Sequence, residues 1–387
     1  MEPETLASKS IMIVAGEASG DMHGAGLVRA MRKRDQTLEF FGTGGFELSR
    51  AGVEILCDIK KISVMGLSEI LSNFKEIIST YLLLKRTLKK RKPSLLILID
   101  FGEFNLRLAK QANQLNIPVF YYITPKVWVW RKKRARKLAE YVDRAAVILP
   151  FEEAFLQKSG VRATYVGNPV LDAVQVSLTK REFCSKYGLD ENKAIVGILP
   201  GSRKKEVSQL LPVFLESARR MQKKYSRELT FVLPLASTLT RDDLNKFGLE
   251  RYQSELDIHV LSEDRYELMS ACDGVIAASG TATLELAVLD VPMVVAYKFS
   301  PLSYYIGKLF IHIPFFSLVN IIAGKNLVTE LLQEQVHAAA VELELARILF
   351  DEDVRAHMKR ELLQVREKIG SSGASANAAK LAFETMK

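Results

Sequence analysis

The chain has 387 residues, 48% hydrophobic and 26% charged, an ordinary globular composition long enough for two or three domains of roughly 100–200 residues each. Cys57, Cys184 and Cys272 are odd in number, far apart and without C-x-x-C spacing, which argues against a disulfide framework or a structural zinc site and leaves reduced, buried thiols. The formal net charge of +9 favours an anionic partner, for which nucleic acid, an anionic membrane surface and a phosphorylated substrate all qualify.

The opening MEPETLASKS has no basic-then-apolar pattern, so no secretory or transit signal is read there, and a cytoplasmic location is expected. Short apolar runs rich in β-branched residues then alternate with segments of helical period. The first set reads Ile11 to Ala15, Leu95 to Asp100, Val119 to Thr124, Ala145 to Leu149 and Thr164 to Gly167. The second reads Ile195 to Leu199, Thr230 to Leu235, Ile258 to Leu261, Gly274 to Ala278 and Met293 to Tyr297, and a polar stretch, Gln175 to Lys193, separates the two. This is the pattern of βαβ units and of parallel sheets covered on both faces, so two Rossmann-like α/β domains in series are predicted. Ligands of such sheets sit outside the carboxyl ends of the strands, and the loops there carry the search for chemistry.

The first such loop, VAGEASGDMHGAG (14–26), is glycine-rich but lacks G-x-G-x-x-G spacing, and it holds Glu17 and Asp21. Fixed carboxylates repel a pyrophosphate, so the loop suits sugar hydroxyls or an amide better than bare phosphate. Its glycines allow close backbone approach, Ser19 can cap the following helix, and each acid is either a helix-start residue or a ligand acceptor.

Further on, Leu67, Ile70, Leu71, Phe74, Ile77, Ile78, Tyr81 and Leu82 recur at three- and four-residue steps, the stripe of an amphipathic helix. Such a stripe is ordinarily core. Leu83, Leu84 and Leu88 widen it, however, and Lys85, Arg86, Lys89, Lys90, Arg91 and Lys92 end it, a basic terminus suited to anionic lipid headgroups. Interspersed polar residues make it too polar to span a bilayer, which takes ~20 mostly apolar residues. The helix is therefore expected to dip into a membrane surface through Leu67, Ile70, Leu71, Phe74, Ile77 and Ile78.

Asp100 ends the run LLILID, where a carboxylate at the carboxyl end of a buried strand could take a proton from an attacking hydroxyl or could simply cap a turn. His23 is the competing base. The tryptophans of TPKVWVWRKKRARK (124–137) beside a basic run could stack on bases, but no nucleic-acid motif accompanies them and nucleic acid is not expected. The five histidines are scattered, so neither a catalytic metal nor a cofactor is inferred.

LPGSRKKEV (199–207) follows a strand and opens a helix with the stripe Val207, Leu210, Leu211, Phe214 and Ala218. Arg203, Lys204 and Lys205 crowd its first turn against the macrodipole, a conflict that a phosphate bound at Ser202 and Arg203 would remove. Three solvated charges are the plain alternative. ASGTATLE (278–285) is a second strand-to-helix loop, in which Ser279, Gly280 and Thr281 offer amide and hydroxyl donors. Glu285 lies one turn inward, where it either accepts from a ribose diol or sits as an ordinary surface glutamate.

These residues read as a nucleotide-sugar site in the second domain facing a carboxylate in the first. The sequence also resembles the lipid A disaccharide synthase family along most of its length. The matching segments are VAGEASGD (14–21), VMGLSEIL (64–71), the ID and FN of IDFGEFN (99–105), TPKVWVWR (124–131), LPFEEAF (149–155), LPGSR (199–203), SGTATLE (279–285) and VNIIAGKNLVTELLQ (319–333). The resemblance implies the GT-B architecture, two Rossmann-like domains facing across a cleft, with 1–174 as the acceptor and membrane-facing domain and 175–352 as the UDP-sugar domain. Helix 353–387 would pack back on the first domain or on a partner chain.

It implies an inverting, metal-independent glycosyltransferase without a cofactor, joining UDP-2,3-diacylglucosamine to 2,3-diacylglucosamine 1-phosphate (lipid X). The products would be the β-1′,6-linked lipid A disaccharide 1-phosphate and UDP. By the same resemblance Asp100 would be the base, Ser202 and Arg203 would hold the UDP phosphates, and Thr281, Glu285 and Asn320 would complete the donor site. Glu17, Ser19 and Gly20 would line the corresponding loop. Peripheral attachment to the anionic inner-membrane surface and a homodimer through the C-terminal region are further implications.

The chain departs from the family pattern at Gly102 and Glu103, where Pro and Asp are usual, at Asn168 for His, and at Val319 for Pro. Asp100 and Arg203 stand. The rivals are a UDP-N-acetylglucosamine 2-epimerase, which shares the architecture and nucleotide grip, and a nonenzymatic basic scaffold, which leaves Asp100 and the two strand-to-helix loops unexplained.

Overall fold

The near-continuous apolar runs of the sequence become strands buried on both faces in the computed structural model, which describes residues 9–62, 74–125, 132–225, 229–299 and 314–386. The chain divides into two units, with boundaries at Asp172/Ala173 and Lys368/Ile369. Among the described residues the first unit runs to Asp172 and recovers the C-terminal stretch from Ile369, and the second takes what lies between. The C-terminal segment expected as one piece from 353 is therefore shared: helix Glu352–Lys368 belongs to the second unit and helix Ala374–Thr385 to the first.

The first unit is a seven-stranded sheet of order β3-β2-β1-β4-β5-β6-β7, with β1 at Ser10–Ala15, β2 at Glu39–Gly44, β3 at Glu54–Asp58, β4 at Leu95–Ile99, β5 at Val119–Tyr122, β6 at Arg144–Val147 and β7 at Ala163–Tyr165. Every neighbouring pair is parallel. Alternate residues feed two cores. Ile11, Ile13, Ile97 and Ile99 pack under helix α1 (Ala18–Arg34), helix α2 (Phe46–Arg50) and the C-terminal helix, while Met12, Val14, Leu96 and Leu98 pack under α3 (Phe74–Arg91), α4 (Gly102–Gln114) and α5 (Lys132–Tyr141). A strand with both faces covered has no solvent side to mark with polar residues, so its sequence reads apolar throughout.

The second unit repeats the plan with six parallel strands ordered β10-β9-β8-β11-β12-β13. They are β8 (Ala194–Leu199), β9 (Leu229–Pro234), β10 (Ile258–Leu261), β11 (Gly274–Ala278), β12 (Met293–Tyr297) and β13 (Glu330–Leu332). Its helices include α6 (Lys204–Lys224), α7 (Arg241–Lys246), α8 (Arg265–Ala271), α9 (Thr281–Val288) and α10 (Leu318–Ala323).

Strand order reverses once in each sheet, between β1 and β4 and between β8 and β11, which are direct neighbours. Right-handed crossovers on either side of such a point leave on opposite faces and open a crevice at the carboxyl ends of the two central strands. The loops standing there are those after Ala15, Ile99, Leu199 and Ala278.

Candidate functional site

In the first unit the loop after β1 is built by its glycines, but for packing. A Cβ on Gly16 would stand 2.2 Å from the Phe101 ring, and one on Gly24 2.8 Å from Ile99 Cδ1. These two glycines let the start of α1 and the Phe101 ring close down on the sheet. Asp21 is no ligand acceptor: it is 4% exposed, and its carboxylate accepts from Gly45, Glu47 and Leu48 amides at 2.6, 3.0 and 3.1 Å, capping α2 from 24 or more residues away. Glu17, the N-cap of α1, and Ser19 remain half-buried beside buried Gly20.

Asp100 follows β4 with φ +47, and Phe101 follows with φ +52, two consecutive left-handed residues neither of which is glycine. Such conformations cost about 1–3 kcal/mol each and persist only where their surroundings over-determine them. The half-buried Asp100 thereby leaves the ladder at the switch point, its amide bonded to Ile123 O at 3.0 Å. His23, the competing base, is 6% exposed, and burial lowers its pKa to about 4. A neutral, enclosed imidazole is poorly placed to receive a substrate proton.

The departures from the family pattern find structural partners. Glu103, in the first turn of α4, pairs with Lys137 of α5 at 3.6 Å. Asn168 is fully buried, donating to Ile148 O at 3.1 Å and accepting from Val170 N at 3.0 Å, so it clips the loop after β7 to that after β6.

In the second unit, Gly201 takes φ +110 in the loop after β8, where a Cβ would fall 2.1 Å from the Glu206 carboxylate. Arg203 is the N-cap of α6 and has no acceptor to offer the first-turn amides. The crowding of cations there is partly resolved within the protein: Lys204 donates to Asp243 at 2.8 Å, and that contact, with the Thr240 bonds, holds the Asp243 carboxyl down at about 2. Ser202 O accepts from the Thr238 hydroxyl, tying the β8 and β9 loops together.

At β11, Gly280 is the N-cap of α9, its backbone extended and the space beside its Cα open. Ser279 and Thr281 are half-buried on either side. Two helix N-termini, each led by a residue without a side-chain cap, thus stand at adjacent strand ends, an arrangement that attracts phosphate.

Two expectations change. Asn320 is 0% exposed and bonded within its own loop: Oδ1 accepts from Leu327 and Val328 amides at 2.9 Å, and Nδ2 donates to Val328 O and Glu330 Oε1 at 2.8 Å. Both ends of its amide are spent on shaping the loop after α10. Glu285 is 1% exposed and is bonded by the Arg265 guanidinium of α8, while burial pushes its carboxyl up against the opposing effect of Arg265. A ribose diol there would have to share or replace the arginine. Arg265 was not legible, because its only sequence mark is a charge at a helix start.

The stripe expected from Leu67 is described only from Phe74, and Leu67, Ile70 and Leu71 lie outside the described residues. Within α3 the apolar residues divide over two faces. Thr80, Leu84 and Leu88 are buried, Ile77 and Tyr81 are half-buried, and Phe74, Ile78, Leu82 and Leu83 are 53%, 40%, 43% and 41% exposed. One face is core, and the other is an apolar strip ending in exposed Lys85, Arg86, Lys89 and Lys90. No helix among the described residues is long and apolar enough to cross a membrane, and no group of three or more His, Cys, Asp or Glu among them could hold a metal ion.

Two parallel-sheet units, with a carboxylate at one switch point and two helix N-termini at the other, have the arrangement of the GT-B class of nucleotide-sugar enzymes. Solved structures agree on the fold: UDP-GlcNAc 2-epimerase from Neisseria meningitidis bound to UDP-GlcNAc (TM-score 0.64, 15% identity, 97% of this chain and 99% of that one) and the glycotransferase of kitacinnamycin (TM-score 0.62, 12% identity, 98% and 99%). The lipid-A-disaccharide synthetase family model matches residues 11–383, and the chain belongs to that family of glycosyltransferases. Lipid-A-disaccharide synthases of Trichlorobacter lovleyi and Geobacter metallireducens are 45% and 42% identical to it, over 98% and 99% of this chain and 98% of theirs. Likeness to the epimerases is confined to the fold, and that alternative is set aside.

If the α6 N-terminus holds the diphosphate, Arg203→Ala should weaken UDP binding by calorimetry about ten- to a hundredfold, a lost charged hydrogen bond being worth roughly 1.5–3 kcal/mol. Lys204→Ala, whose charge already belongs to Asp243, should change it less than about threefold. Equal losses in both variants would return the turn to a diffuse basic surface.

Proposed function

We infer that this chain transfers 2,3-diacylglucosamine from UDP-2,3-diacylglucosamine to the 6-hydroxyl of 2,3-diacylglucosamine 1-phosphate (lipid X), with inversion, giving the β-1′,6-linked disaccharide and UDP. The observation that carries this is the placing of Asp100 at the switch point of one sheet and of the α6 and α9 N-termini at that of the other. The Asp100 carboxylate takes the proton of the acceptor hydroxyl as its oxygen attacks C1 of the donor sugar, the bond from C1 to the diphosphate breaks, and UDP leaves with the electron pair. Ser202 and Arg203, with Ser279, Gly280 and Thr281, meet the charge that develops on the leaving diphosphate. Glu285 with Arg265 accounts for the nucleoside end, and Glu17, Ser19 and Gly20 border the acceptor beside Asp100.

Acylated substrates live in a lipid surface, and the exposed strip of α3 supplies the attachment. Phe74, Ile78 and Leu82 share one face, each worth about 1.5–3 kcal/mol on full burial, and the basic end behind them suits the anionic inner leaflet. The protein then works in the cytoplasm at the membrane face. Self-association through the C-terminal region would use outer surfaces such as Leu363, 46% exposed, because Ala378, Ala379 and Ala382 of the last helix are buried against the first core.

The transfer is tested by mixing protein and UDP-2,3-diacylglucosamine with and without lipid X and following UDP together with the lipid product. UDP release that requires lipid X and matches disaccharide formation is the expected result, whereas release without acceptor, or a changed sugar without release, would refute it. For the membrane contact, Phe74→Ser/Ile78→Ser/Leu82→Ser should reduce binding to anionic vesicles by roughly tenfold or more while the melting temperature stays within a few degrees. Unfolding of the variant would instead make that face part of the core.

A further inference from the structure

We propose that Tyr121 and Asn105 are positioning residues for Asp100, holding by two hydrogen bonds on its main-chain carbonyl the left-handed turn that carries the carboxylate out of the sheet. This rests on the reading of Asp100 as the base. The Tyr121 hydroxyl donates to Asp100 O from β5, and Asn105 Nδ2 donates to the same oxygen at 2.9 Å from the first turns of α4, reaching Ile99 O at 3.2 Å as well. The carbonyl that the turn removes from the strand ladder is thus received by two side chains from two separate elements.

Packing accounts for the Tyr121 ring but not for its hydroxyl, nor for the Asn105 amide. Tyr121 is 0% exposed within an otherwise apolar cluster of Met12, Val14, Leu96 and Leu98, so its hydroxyl costs free energy there unless bonded. Asn105 is also 0% exposed, and its Nδ2 is spent on the main-chain carbonyls of Ile99 and Asp100. A third restraint comes from the Phe101 ring, seated on Gly16 where a Cβ would stand 2.2 Å away. Together these over-determine two consecutive left-handed residues that are not glycine, the condition under which such a turn survives. What they fix is the direction of the Asp100 side chain, and small displacements of a catalytic group lower turnover steeply.

Steady-state kinetics on Tyr121→Phe and Asn105→Ala tests this, with Asp100→Asn as the reference background. In the parent protein each variant should lower kcat by about tenfold, leaving the donor KM and UDP binding nearly unchanged and the protein folded at the assay temperature, with a melting temperature lower by several degrees. In Asp100→Asn, adding Tyr121→Phe should lower kcat by less than about twofold further, since there is no carboxylate left to aim. A kcat within about twofold of the parent in either variant removes that residue from the role. The same fractional loss in both backgrounds overturns the proposal in favour of a general structural effect. If Asp100→Asn alone turns over at the parental rate, the base reading itself is wrong and the positioning role goes with it.

Discussion

Parallel strands joined by crossovers of one hand impose the constraint on which the rest of this molecule depends. All carboxyl ends of a sheet fall on one edge, every following helix begins there with unpaired amides, and the single reversal of strand order opens a crevice at that edge. Both units obey it, with β1 beside β4 and β8 beside β11. The first places Asp100 there in a left-handed turn, and the second places two helix N-termini there. Each unit thereby carries polar groups at the carboxyl ends of its central strands, where ligands of such sheets bind.

Ten of the thirteen strands among the described residues were legible because burial on both faces leaves runs such as SIMIVA and LLILI with no polar alternation to confuse them, whereas β2 (EFFGTG), β3 (EILCD) and β13 (ELL), short or interrupted by Gly and acidic residues, were not. The switch-point loops were legible as strand-to-helix junctions rich in Gly, Ser and Asp. The partners of their residues were not. Asp21 caps a helix 24 residues away, Lys204 is held by an aspartate 39 residues on, and Tyr121 reaches Asp100 across 21 residues. Such contacts follow from topology, and no local pattern announces them. The glycines of the first loop, read as allowing close backbone approach, serve packing: Gly16 and Gly24 bring a phenylalanine ring and a helix close to the sheet. Asn320 shows the converse, a residue of a distinctive segment whose amide is consumed in holding its own loop.

The helix Phe74–Arg91 shows why period alone does not assign a face. Its apolar residues are numerous enough to form two stripes, and only packing separates Leu84 and Leu88, inside, from Phe74, Ile78 and Leu82, outside. An exposed apolar strip joined to a basic terminus is costly in water, which is why such strips mark interaction surfaces.

The central claim is that one carboxylate, aimed by its turn, activates the acceptor, and the most direct measurement is turnover of Asp100→Asn beside its UDP affinity. Loss of the anion without change of shape should lower kcat by on the order of 10²–10⁴ while UDP binds as in the parent. Near-parental turnover with intact UDP binding would contradict it, and the acceptor proton would then have to leave by another route.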